Sequence, residues 1–101
     1  MPSAESASGA PPSLQREAEA LRFRGDLVVG AIAGLWKPAL ALLPGTRRFD
    51  LAGVGRVDSA GVALLAELAQ RAGAVAIEGD PTGLAPLRAA YRLSPALRYA
   101  T

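Results

Sequence analysis

The stretch Phe49 to Gly73, FDLAGVGRVDSAGVALLAELAQRAG, constrains the fold more than any other part of the chain. An apolar run of strand length, Arg48 to Val54, leads through a glycine-containing loop into an apolar run of helical period. Between the two runs stand Asp58 and Ser59, both favoured helix N-caps. A helix is therefore expected from about Ala60 to Ala72, with Gly73 in the usual stop position. A strand that turns through a cap into a helix is the repeating unit of α/β folds.

The flanking segments repeat that unit. Ala20 to Leu27, ALRFRGDL, sets Leu21 and Phe23 against Arg22 and Arg24, the period-two pattern of a half-buried strand closed by Gly25-Asp26. Ser13 to Ala18 reads as a short edge strand of poorer alternation. Val28 to Leu43 places Val29, Ile32, Leu35, Trp36, Ala39, Leu40 and Leu43 at helical spacing, although Gly30, Gly34 and Pro38 weaken it. Pro38 should kink this helix or begin its second half, and Pro44-Gly45-Thr46 ends it. A third strand spans Ala74 to Gly79, followed by the turn DPTG, and Leu84 to Leu93 forms a last helix ended by Ser94-Pro95. The expected fold is a small α/β sandwich, a mixed sheet of about four strands covered by helices. Residues 1–12, rich in Ser, Ala, Pro and Gly, read as a disordered tail, and residues 13–101 as one domain.

Composition removes most chemistry. The chain has no Cys and no His, so Cys/His zinc sites, thiol nucleophiles and imidazole bases are excluded. Ten of its eleven basic residues are Arg, but the net charge is only +2 and the arginines are scattered. That scatter, with few aromatics between them, argues against a nucleic-acid track. The longest uninterrupted apolar run, Leu27 to Trp36, falls well short of the roughly 20 residues of a membrane span. Residues 1–12 lack the basic start and apolar core of a secretory signal, so a soluble cytoplasmic protein without direct membrane insertion is expected.

The Asp58-Ser59 loop resists the common motif readings. A phosphate-cradling loop needs a Gly-Lys pair, which the chain lacks, and a dinucleotide fingerprint needs glycine where Asp58 stands. A Gly-x-Ser-x-Gly elbow would need glycine at Val57, and no histidine exists to take the serine proton. A metal site would need more carboxylates than Asp58 and Asp50. Neither a catalytic residue nor a metal or cofactor site is expected. What remains is a serine in the first turn of a helix, where its phosphate would be tolerated by the helix dipole but would alter docking. A plain cap is the alternative. With Val62, Leu65, Leu68, Ala69 and Ala72 on the sheet, Ala63, Leu64, Glu67, Gln70 and Arg71 should face outward. Leu64 with Ala60 and Ala63 would then make an apolar patch beside Ser59. Trp36 belongs in the core or under a partner.

The same stretch resembles the STAS domain family (sulphate transporter and anti-sigma factor antagonist). In that family a strand ending Asp-Leu-Ser-x-Val is followed by Val-Asp-Ser/Thr-x-Gly and an amphipathic helix. Here Ala52 stands where the first serine would be. The resemblance extends over about residues 13 to 97 and implies two functional branches. In anti-sigma factor antagonists the serine matching Ser59 is phosphorylated by a partner kinase. In MlaB-type proteins the domain is a non-catalytic accessory subunit that binds the cytoplasmic ATPase of a phospholipid-trafficking ABC transporter. The short chain, the Gly-Asp-Leu strand end, AGLWKPALALLPG and VDSAGVALL resemble the second branch more. That resemblance implies an ATPase contact at Arg56, Asp58, Ser59, Ala60, Gly61, Ala63 and Leu64, with Trp36 nearby. It also implies indirect association with a permease and periplasmic lipid-binding subunits, two copies per transporter, and a peripheral place on the inner face of the inner membrane.

Overall fold

The computed structural model describes residues 12–73, 75–94 and 97. The expected tail therefore lies almost wholly outside the described residues, as do residues 98–101 of the expected domain. The elements are β1 (Ser13–Glu17), β2 (Ala20–Arg24), α1 (Val29–Leu42), β3 (Arg48–Gly53), α2 (Ser59–Ala72), β4 (Ala76–Glu78) and α3 (Leu84–Ala90). The sheet runs in the order β1-β2-β3-β4. The β1–β2 pair is antiparallel and the next two pairs are parallel, so the sheet is mixed.

Each parallel step needs a crossover, and α1 and α2 supply the two. Successive right-handed crossovers that move the same way across a sheet lay their helices on one face, and α1 packs on α2 with α3 beyond it. Period-two alternation follows from this arrangement. Leu21, Phe23, Phe49 and Leu51 are buried, and the Phe23 and Phe49 rings meet edge to face at 5.6 Å. The other face of the sheet carries Gln15, Arg22, Asp50 and Glu78 in register. Arg22 pairs there with Glu17 at 2.9 Å and with Asp50 at 3.2 Å. Helices thus cover one side of the sheet, and a charged row occupies the other.

Two expectations change. Leu64, expected outside, is 4% exposed and belongs to the core, as does Ala66. α2 packs against both α1 and α3 while its buried residues share one core with those of the sheet, which widens its buried arc beyond a single stripe. The apolar patch that rested on Leu64 is therefore not there. The last helix also stops at Ala90, and Arg92 follows in the left-handed region at φ 56°.

α1 remains one helix through Pro38, yet has no acidic residue in its first turn and no basic residue in its last. Its C-terminal end is capped from β1 instead. The Arg16 guanidinium donates to the carbonyl oxygens of Leu42 at 2.6 Å and Pro44 at 2.7 Å. Beyond the backbone of their own helix turn, Gly30 and Gly34 have open space where a Cβ would sit. Gly30→Ala and Gly34→Ala are thus each expected to stabilise the fold by about 0.5–1 kcal/mol, read from thermal unfolding. A drop in stability would show that glycine is needed there for packing.

Candidate functional site

The loops that follow β2 and β3 lie side by side. Leu27 and Val57 form a parallel bridge, the Leu27 amide donates to the Arg56 carbonyl at 3.0 Å, and the Asp58 amide donates to the Leu27 carbonyl at 3.2 Å. This brings the N-terminal ends of both long helices to one point, where Asp58 serves both. Its Oδ1 accepts from the Gly61 amide at 3.0 Å, capping α2, and its Oδ2 accepts from the Val29 amide at 2.9 Å, capping α1. Val28, the residue in the N-cap position of α1, contributes no side-chain cap of its own.

Loss of hydration pushes the Asp58 carboxyl up. The amides of Val29, Gly61 and Ala60, with the charge of Arg56, outweigh that and hold it below its ordinary value. Asp58→Ala leaves two helix ends uncapped and is expected to cost about 2 kcal/mol in urea unfolding. Because the folded-state pKa is lowered, the stabilisation is complete above the unfolded value and is lost as pH falls through the folded one. The stability gap between wild type and Asp58→Ala should therefore close as pH drops below about 4. A gap that persists in acid would contradict the charged double cap.

Gly61 explains the glycine of the motif. A Cβ there would fall on the Leu27 carbonyl oxygen and lie 3.0 Å from both its carbonyl carbon and its Cβ. Only glycine lets α2 start this close to the β2–α1 loop. Asp58 and Gly61 are thus committed to the fold, and Gly61 is buried.

The outward groups are different ones. Ser59 opens α2, is exposed, and its hydroxyl makes no hydrogen bond among the described residues. Ala63 is exposed one turn further on, and Ala60 is half-buried. Arg56 is exposed and pairs with Asp26 at 3.3 Å. Beside them stands Val29, its amide held by Asp58 and its side chain 72% exposed; its place among the apolar positions of α1 gave it no role at this edge. No local signal marks it, because its link to Asp58 spans 29 residues. Trp36 lies two helical turns from Val29 along α1, half-buried against the core, with the Arg71 guanidinium over its ring at 5.3 Å. Arg56, Asp58, Ser59, Ala60, Gly61 and Ala63 therefore share one edge, whereas Leu64 is inside and Trp36 is set apart.

Nothing along this edge is a nucleophile–base pair, and among the described residues no three His, Cys, Asp or Glu side chains stand close enough to hold a metal. The family model for "Mlab, STAS domain" matches residues 12–97. The chain belongs to the STAS domain family. STAS domains are in general binding and regulatory modules without catalytic activity, and a regulatory or accessory role follows from that membership. The strand–Asp58-Ser59–helix edge is the part of this STAS domain that carries the motif. No curated protein matches the chain. Among solved structures, one described as "Crystal Structure Analysis of Mglu" is similar at 25% identity and a TM-score of 0.49, over 67% of this chain. The STAS domain spans only 19% of that longer chain, and a likeness of this size bears on neither activity nor partners. Among the described residues no helix is long and apolar enough to cross a membrane.

Proposed function

We propose that this STAS domain is a non-catalytic accessory subunit whose Ser59 edge docks on the cytoplasmic ATPase of a phospholipid-trafficking ABC transporter. The observation that carries this reading is the division of labour in the motif. Asp58 and Gly61 are consumed by the fold, while Ser59, Val29 and Ala63 are left outward around an unbonded hydroxyl. A small rigid wedge of this kind acts by preferring one partner conformation. Coupling of that sort is typically about 1–3 kcal/mol. The match to a family model described as "Mlab, STAS domain" supports this branch. On this reading the protein sits in the cytoplasm, peripheral to the membrane through its partner, with two copies per transporter and no part in nucleic-acid binding.

The exposed, unbonded Ser59 hydroxyl also suits a second reading, an anti-sigma factor antagonist switched by phosphorylation at that serine. Affinity capture of the wild-type protein from native membranes, with partners identified by mass spectrometry, separates the two. Recovery of an ABC ATPase with its permease supports the accessory subunit. Recovery of a serine kinase instead would overturn it in favour of the antagonist.

A further inference from the structure

At the end of the helices remote from Ser59, the molecule has a second distinctive feature. The last turns of α1 and α2 and the turn after α1 enclose a cavity of about 390 Å3, with Leu40, Leu43 and Pro44 on one side and Ala72 and Arg71 on the other. A hollow of about 250 Å3 shares Gly45 and Ala72 with it and is bounded by Thr46 and Arg47. Together they form a cleft of small-ligand size, apolar along one stretch and flanked by two guanidinium groups.

Helix C-terminal ends carry partial negative charge, which would ordinarily repel an anion. Here that charge is already answered. Arg16 donates to the Leu42 and Pro44 carbonyls, Thr46 Oγ1 donates to the Leu42 carbonyl at 3.3 Å, and the Gly73 amide donates to the Ala69 carbonyl at 3.1 Å. Arg47 and Arg71 are therefore surplus to the needs of the helix ends. The Arg47 side chain is exposed and makes no hydrogen bond or ion pair among the described residues. Arg71 meets Glu67 through Nε at 3.1 Å, which leaves its terminal nitrogens available. Among the described residues no carboxylate lines either hollow.

We propose that this cleft binds an amphipathic anion, an alkyl chain with a carboxylate or phosphate head. The chain lies along Leu40, Leu43 and Pro44, and the head sits between Arg47 and Arg71. The proposal is independent of the docking edge at Ser59.

The molecule has a built-in reporter, because Arg71 stacks over Trp36, the only tryptophan in the chain. An anion that draws on Arg71 changes the surroundings of that indole. The test titrates octanoate and octyl phosphate, with octanol and acetate as controls, and follows Trp36 fluorescence and backbone amide shifts. The expected result is saturable binding of at least one octyl anion with a Kd of order 1 mM. Amide shifts should centre on Gly45, Thr46, Arg47 and Ala72, and octanol and acetate should bind at least tenfold more weakly. The two anions separate a carboxylate from a phosphate head. Arg47→Gln, which removes no contact seen among the described residues, should weaken binding severalfold without changing the unfolding curve. Absence of saturable binding by either anion would overturn the proposal. So would octanol binding as well as the anions, shifts centred elsewhere, or an Arg47→Gln variant that binds like wild type.

Discussion

Gly61→Ala is expected to destabilise the protein by about 3 kcal/mol or more, enough to unfold a domain of this size. The added methyl would overlap the Leu27 carbonyl oxygen, and neither side can give way cheaply. Leu27 is fully buried and bridged to Val57, and its carbonyl accepts from the Asp58 amide. Moving it would undo the junction on which both helix caps depend. Moving α2 instead would lift Val62, Leu65 and Leu68 from the core. Urea unfolding, or loss of amide dispersion in an NMR spectrum, reads the effect. Gly30→Ala, an identical change in open space, is the internal control. A Gly61→Ala variant as stable as wild type would show that the loops are not packed this closely.

Ser59→Arg is expected to abolish partner capture while leaving stability within about 0.5 kcal/mol of wild type. The side chain is exposed and unbonded, so the fold loses nothing by its removal, and a cation at a helix N-terminus costs only a few tenths of a kcal/mol. At an interface the same group is bulky and charged. Burying it without a partner costs roughly 3 kcal/mol or more, above a hundredfold in affinity. Ser59→Glu separates docking from folding further. Its carboxylate suits the helix dipole and should keep or slightly raise stability, while still blocking a contact that excludes charge.

How far the sequence predicts this arrangement depends on the range of the interactions involved. Strands and helices were legible because their periods are local: Leu21 and Phe23 alternate with arginines, and Val62, Leu65, Leu68 and Ala69 recur on one helical stripe. The mixed sheet of four strands followed from connection rules applied to that order. Leu64 was misplaced because one helix read alone shows its sheet-facing stripe but not the flanks covered by neighbouring helices. The role of Asp58 was half legible. A cap for its own helix is a local pattern, whereas service to Val29 requires two distant loops to meet. Arg16 is the same case at the other end of α1, reached from a strand 26 residues earlier in the chain. Gly61 could be noted in the motif, but its reason, the Leu27 carbonyl, exists only in the folded molecule.

The most direct measurement is parallel affinity capture of wild type, Ser59→Ala and Ser59→Arg from native membranes, with thermal unfolding of each protein as control. Wild type and Ser59→Ala should recover an ABC ATPase together with a permease, and Ser59→Arg should recover neither while melting at an unchanged temperature. Equal recovery by Ser59→Arg would contradict a docking edge centred on Ser59.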